Sequence, residues 1–133
     1  MDFSIPAAYK AYYEKTKAFG ETLNEEVSMR DHDSVFDRNL WNRCAAFGIQ
    51  GLAAPSAYGG QEADINFTKA ALGLEGLGYG CHDNGLTLGL NAQMWTVQLP
   101  LGEFGTEETA ELYDYSSGDY CGGGFERETE GES

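Results

Sequence analysis

Hydrophobic and polar positions alternate along most of the chain with the period of an α-helix. Between residues 4 and 29, the side chains expected to face inward recur every three or four positions: Ile5, Tyr9, Tyr12, Thr16, Phe19, Leu23 and Val27. Charged residues fill the opposite side, which predicts one long amphipathic helix with Ser4 as its N-cap and Pro6 in its first turn. The charged stretch MRDHDS, residues 29–34, is expected to end this helix.

A second helix is predicted before the loop GLAAPSAYGGQEAD, residues 51–64. Asp37 is placed to cap this helix and Gly48 to end it. Its inward face comprises Leu40, Trp41, Cys44 and Phe47.

A third helix is predicted after the loop, with Asp64 as its N-cap. Its inward face comprises Phe67, Ala70, Ala71, Leu74 and Leu77. Gly73 and Gly76 each cost such a helix about 1 kcal/mol relative to alanine, which indicates that another helix packs closely against them.

The segment 84–104 is apolar almost all round, so it should be covered on most of its sides, and Pro100 is expected to kink or divide it. A chain of 133 residues should not wrap this segment completely, so part of it is expected to face another domain or subunit. Thr106 is placed to cap a last helix that ends at Gly118. Because no alternating strand pattern of useful length is visible, the predicted class is all-α, an up-and-down bundle of about five to six helices.

The length and composition favour one domain with a real core. Hydrophobic residues make up 41% of the 133 residues, which is enough to bury a core. Residues 1–121 are predicted to form the helical domain. Residues 122–133, rich in glycine and glutamate, are predicted to be a flexible tail.

The charge balance excludes several kinds of partner. A formal net charge of −14 repels phosphate backbones and anionic head groups, which argues against general nucleic-acid and membrane-surface binding. No apolar run approaches the length of about 18 residues that membrane insertion needs. A charged partner would be basic, although acidic charge that only keeps the protein in solution is the simpler interpretation. Three widely spaced cysteines without a C-x-x-C pair, and a start without a leader pattern, predict a cytoplasmic protein with reduced thiols.

The residues that could carry chemistry do not form a convincing set. Cys81, His82 and Asp83 are the residue types of a nucleophilic triad, but consecutive residues of a helix point about 100° apart. Two histidines without a metal-ligand spacing predict no metal site. The glycine runs at 76–80 and 122–124 lack the context of a phosphate cradle. Met94 and Trp95 are explained equally well by core packing and by a place beside a ligand.

Three motifs resemble the acyl-CoA dehydrogenase family, in the family's order and at roughly its spacing. The first follows the pattern of an amphipathic helix and then G-x-x-G-L-x-x-P-x-x-Y-G-G, and its matching residues are Gly48, Gly51, Leu52, Pro55, Tyr58, Gly59 and Gly60. The second is FGTEE at 104–108, and the third is SGDY at 117–120, similar to S-G-E-W. The resemblance covers the chain from about residue 3 to 125.

The resemblance implies the N-terminal helical domain of a flavoenzyme that holds FAD and removes hydrogens from the α and β carbons of an acyl thioester. It places no catalytic residue on this chain, because the family carries its flavin-binding β-domain and its glutamate base in later domains. Only Thr129 carries over as a flavin contact, and Gly131 stands where the family has a proline. In the family, the Pro-x-x-Tyr-Gly-Gly loop is mainly a structural corner.

Two hypotheses follow. In the first, the chain is the N-terminal domain or a subunit of an acyl-CoA-dehydrogenase-like enzyme, inactive alone and completed by other polypeptide in a homo- or hetero-oligomer. In the second, it is a non-catalytic helical module that keeps the scaffold for binding or assembly.

Overall fold

The structure is a computed structural model that describes residues 2–111 and the short segments 113–114 and 119–120. The helices are α1 (Ala7–Glu21), α2 (Val27–Asp33), α3 (Arg38–Phe47), α4 (Phe67–Gly80), α5 (Asn84–Ala92), α6 (Leu99–Phe104) and α7 (Glu107–Glu111). Two 3-10 turns, Gln50–Ala53 and Ser56–Tyr58, lie between α3 and α4, and a π-helical turn, Gln93–Gln98, joins α5 to α6. The all-α bundle predicted from the sequence is confirmed.

The first predicted helix is wrong in its extent. The chain leaves the helix after Glu21 and resumes in α2 at Val27, so the stretch MRDHDS forms most of a helix instead of breaking one. Glu26 between them has a φ of 57°, a left-handed conformation that an uninterrupted helix cannot contain. Ser4 does not cap α1 either, because the N-cap position is Pro6.

The boundaries of the other helices follow local capping chemistry. Asp37 caps α3 by accepting hydrogen bonds from the amides of Asn39 and Leu40, and Gly48 ends it with a φ of 99°, both as predicted. The cap of α4 is Asn66 and not Asp64, because the Asn66 side chain accepts from the amide of Lys69 at 3.0 Å.

The last predicted helix is also shorter than expected. Thr106 caps it, since the Thr109 amide donates to the Thr106 hydroxyl at 3.2 Å, but α7 ends at Glu111. Beyond it, Tyr113–Asp114 (β1) pairs antiparallel with Asp119–Tyr120 (β2), and Tyr113 lies opposite Tyr120. Aromatic residues favour such extended pairing over helix. The tail 122–133, with Thr129, lies outside the described residues, so the division at 121 stays a prediction.

α1 and α4 pack through glycines, as Gly73 and Gly76 predicted. A methyl group at Gly76 would lie 2.5 Å from the Tyr13 carbonyl oxygen, and one at Gly80 would collide with the Lys17 carbonyl oxygen. On the facing helix, a methyl group at Gly20 would lie 2.8 Å from the Leu77 carbonyl oxygen. The two backbones therefore approach so closely that no side chain fits between them.

One buried cluster forms the main core beside this contact. Its largest fully buried apolar members are Leu23, Ile49, Leu77, Leu90 and Met94. Cys44 and Cys81 belong to the same cluster as free thiols, and burial raises the pKa of Cys44 to about 12. In the described part of the chain, no helix has both the length and the apolar character needed to cross a bilayer.

Candidate functional site

The loop between α3 and α4 is a closed corner. The amides of Tyr58 and Gly60 both donate to the Pro55 carbonyl oxygen, at 2.9 and 3.0 Å, and the Ser56 amide donates to the Glu62 carbonyl oxygen at 2.7 Å. Gly60 lies so close to the Ala54 carbonyl group that a methyl group would collide with it. These bonds and this close approach give the glycines of the loop a role in the turn itself.

Side chains of α4 hold this corner against the bundle. The Lys69 ammonium group donates to Gln61 Oε1 at 3.1 Å and to Glu62 Oε1 at 3.2 Å. Gln61 Nε2 in turn donates to the Gly48 carbonyl oxygen at 3.3 Å. The hydrogen bond from Lys69, assisted by Asn66, holds the pKa of the Glu62 carboxyl below its usual range.

The segment 84–104 divides into a buried side and an exposed side. Every fourth residue from the start of α5 faces the core, namely Leu86, Leu90, Met94 and Gln98. Away from that stripe lie Leu88, which is 71% exposed, Val97, which is 41% exposed, and Phe104, which is 88% exposed. We call these three apolar side chains, which the described residues leave exposed along the segment, the outer face.

A π-helical turn adapts this segment to Pro100. Proline has no backbone N–H and collides with the preceding helical turn, so an ordinary α-helix would break or kink there. The wider turn Gln93–Gln98 precedes Pro100, and the helix continues through α6 without a non-helical residue. Pro100 was predicted to kink or divide the segment, and a separate helix, α6, does begin at Leu99 with Pro100 in its first turn.

Met94 and Trp95 have different surroundings. Met94 is fully buried in the core, which favours the packing explanation of that residue. Trp95 is half-buried, its indole N–H donates to Asn91 Oδ1 at 3.2 Å, and its ring lies 6.2 Å from that of Phe67. Trp95 and the 57% exposed Phe67 therefore form an aromatic pair at the edge of the bundle.

The start of α5 is fixed by polar contacts with the α1–α2 connection. Asp83 caps α5 through the Leu86 amide at 2.9 Å and forms an ion pair with Arg30 at 3.1 Å. Asn24 donates to the Gly80 carbonyl oxygen at 2.8 Å and accepts from the His82 amide at 2.7 Å. Sequence reasoning missed both Asn24 and Arg30, because their partners lie more than fifty positions away.

The Cys81, His82 and Asp83 run is not a nucleophilic site. Cys81 is buried, and burial raises the pKa of its thiol, which disfavours the reactive thiolate. Asp83 is committed to Arg30 and to the cap of α5. His32, the other histidine, contacts Asp33 in an exposed position, and the described residues hold no cluster of three metal-ligating side chains.

The described residues also do not form a flavin cradle by themselves. A cofactor of this kind needs backbone amides that approach a pyrophosphate, as glycine-rich turns allow. The glycines of 76–80 are either packed against α1, as at Gly76 and Gly80, or exposed on the helix, as at Gly78. The flavin contact that the family resemblance implies, Thr129, lies outside the described residues.

Comparison with known proteins gives consistent matches. The family model "Acyl-CoA dehydrogenase, N-terminal domain" matches residues 8–113. The L-prolyl-(peptidyl-carrier protein) dehydrogenase of Serratia sp. is 29% identical over 114 residues, which is 85% of this chain and 29% of that protein. The chain thus spans about three tenths of the length of the curated relatives it matches.

Solved structures agree with the sequence matches. The crystal structure of the prolyl acyl carrier protein oxidase AnaB superimposes with a TM-score of 0.79 at 36% identity, over 86% of this chain and 30% of that one. PigA with FAD and proline gives a TM-score of 0.78 at 28% identity, over 89% of this chain and 30% of that one.

Proposed function

Because the chain belongs to the acyl-CoA dehydrogenase family through its N-terminal domain, we propose that it is the helical part of an FAD-dependent enzyme that oxidises an acyl thioester. The observation that carries the proposal is the outer face, an apolar surface on the segment 84–104 that the described bundle leaves exposed. Burying Leu88, Val97 and Phe104 against further polypeptide would remove this surface from water.

The chain's own contribution is structural and not chemical. α-β dehydrogenation of a thioester needs a base at the α-proton and an acceptor for the hydride. FAD supplies the acceptor where it is bound, and other polypeptide supplies its cradle and the base. The part assigned to this chain is to position the segment 84–104 and to exclude water beside the reacting groups.

The proposed substrate is an aminoacyl thioester carried on a carrier protein. The Serratia relative is named for a prolyl group on a peptidyl carrier protein, and AnaB is named as a prolyl acyl carrier protein oxidase. A coenzyme A thioester is the alternative, since another relative, from Megasphaera elsdenii, is named as a short-chain acyl-CoA dehydrogenase.

A second candidate function is that of a non-catalytic module that binds or assembles with other chains, including copies of itself. The observation that favours it is the high acidity of the chain, a formal net charge of −14, which suits assembly with a basic partner. The outer face would then be an assembly surface.

A chimera tests the proposal against this alternative. The chain replaces the N-terminal domain of the Serratia dehydrogenase, and flavin absorbance and oxidation of prolyl-carrier and acyl-CoA thioesters are measured. The proposal expects a yellow protein that oxidises the prolyl-carrier thioester. A folded but colourless and inactive chimera would contradict it and favour the non-catalytic module.

A further inference from the structure

A cleft between the α3–α4 loop and α6 combines apolar walls with two carboxylates. Its volume is about 240 Å³, and its lining includes Pro55, Asp64, Ile65, Phe67, Leu99 and Glu103. We call it the acidic cleft. It does not include any of the three residues that define the outer face.

The two carboxylates of the acidic cleft have no basic partner among the described residues. The lysine nearest to Asp64 along the chain is Lys69, and its ammonium group is already bound to Glu62 and Gln61. Asp64 and Glu103 therefore add uncompensated negative charge to a protein whose net charge is already −14.

The walls of the cleft suit an amphipathic side chain. Pro55, Ile65 and Leu99 offer apolar surface to a methylene stem, and the two carboxylates of the same lining offer partners to a charged head. Phe67, 57% exposed, adds a ring face that attracts a cation. A long aliphatic stem with a cationic head is the structure of lysine and arginine.

We propose that the acidic cleft is a docking site for a lysine or arginine side chain presented by a segment of a separate protein, with an apolar residue beside it. Charge complementarity selects the basic side chain. The apolar neighbour is selected by Ile65 and Leu99, because a small free cation would leave their surface in the cleft in water. This inference goes beyond the proposed function, because it needs neither flavin nor thioester.

The test uses three blocked peptides that differ at one position, acetyl-Leu-Arg-Leu-amide and its glutamine and glutamate counterparts, titrated into the isotope-labelled full chain. Backbone amide shifts at Ile65, Phe67 and Gly102 report on the acidic cleft. We expect the arginine peptide to shift these amides and the other two to leave them unchanged. Equal shifts from the arginine and glutamine peptides would overturn the proposal.

Variants then assign the effect to the carboxylates. Asp64→Asn combined with Glu103→Gln should weaken binding of the arginine peptide about five-fold, since each exposed ion pair contributes modestly. Glu75→Gln removes an exposed charge from α4, outside the cleft lining, and should leave the affinity unchanged. Equal losses in the cleft and control variants would mean that only net charge matters, which contradicts a specific site.

The same titration distinguishes a protein segment from two other occupants of the acidic cleft, a small polyamine and the chain's own basic residue. Spermidine that binds the cleft as strongly as the arginine peptide would overturn the proposal of a protein segment. Arg127 is the basic residue of the sequence that lies outside the described part. Tighter binding of the peptide by an Arg127→Gln variant would show that the chain's own residues compete for the cleft, which would also overturn a separate partner.

Discussion

The contact between α1 and α4 and the outer face of 84–104 differ in how closely each helix surface is packed against the rest of the chain. In the first, glycines bring two backbones together until no methyl group fits between them. In the second, one side of the segment is buried and Leu88, Val97 and Phe104 remain in water. The difference teaches that close backbone contact closes the first surface within the chain, while the second leaves apolar side chains available for association.

The largest change in stability is expected when a side chain is added at the glycine contact between α1 and α4. Gly76→Ala would place a methyl group 2.5 Å from the Tyr13 carbonyl oxygen and against the Thr16 hydroxyl, so α1 and α4 must move apart. We expect a loss of about 3 kcal/mol in the free energy of unfolding, measured by urea denaturation.

The matched control lies two residues away on the same helix. Gly78→Ala meets nothing within 4 Å and should stabilise the chain by up to about 1 kcal/mol through helix propensity. If both alanine variants change stability in the same direction, the contact is not closed in the way the structure shows.

The reactivity of the buried Cys44 thiol reports independently on how often the bundle around the α1–α4 contact opens. Because burial raises the pKa of Cys44 to about 12, the folded chain should react with a thiol reagent at pH 8 only when it opens. In a Cys121→Ser background, Gly76→Ala should speed labelling of Cys44 by about a hundred-fold, the equivalent of 3 kcal/mol. Equal rates in the parent and the variant would show that the thiol is reached without opening.

A substitution on the outer face should weaken association with other polypeptide and leave the stability of the fold nearly unchanged. Leu88→Gln alters a side chain that is 71% exposed, so the free energy of unfolding should change by less than about 0.5 kcal/mol. Binding to polypeptide that completes the proposed enzyme should weaken about thirty-fold, or about 2 kcal/mol, because the leucine would be buried there. Both quantities can be measured by urea denaturation and calorimetry.

Met29→Gln is the control for the outer face. It removes a comparable apolar side chain, 54% exposed, from α2. Association should stay at the level of the parent chain. A similar loss for both variants would mean that the outer face has no special role.

A smaller effect is expected at the polar contact that fixes α4 relative to the α1–α2 connection. Asn24→Ala removes the bonds to the Gly80 carbonyl oxygen and the His82 amide, and should cost about 1 kcal/mol. Hydrogen exchange at the His82 amide should become faster. Asn42→Ala, an exposed change on α3, should alter neither quantity, and fast exchange in the parent chain would argue against the contact.

These contacts also show which parts of the fold were predictable from sequence. Asp37 and Gly48 act on atoms within four residues of themselves, so their roles in α3 could be predicted from local patterns. Asn66 and Asp64 are both suitable caps two positions apart, and only the folded backbone chooses between them.

The break between α1 and α2 could not be predicted for a different reason. Leu23 continues the helical period and is fully buried, so the pattern passes through the break without a sign of it. The groups that bind Asn24 lie at the end of α4, far away in sequence. The same holds for the acidic cleft, where Asp64 and Glu103 meet only because α6 packs beside the loop.

The smallest effect expected concerns Glu62, whose carboxylate binds Lys69 beside the loop. Its pKa is held below the usual 4.5, chiefly by the hydrogen bond from Lys69, so the folded-state pKa lies below the unfolded one. The stabilisation is therefore present above the unfolded pKa and is lost as the pH falls through the folded value. Because the carboxyl is exposed, the change in unfolding free energy should be smaller than that of any variant above.

Lys69→Met should return the pKa of Glu62 towards its usual value in a carbon NMR titration, while Lys10→Met, which alters an exposed residue of α1, should not. If the Glu62 titration is unchanged in Lys69→Met, the Lys69–Glu62 pair does not help to hold the α3–α4 loop against α4.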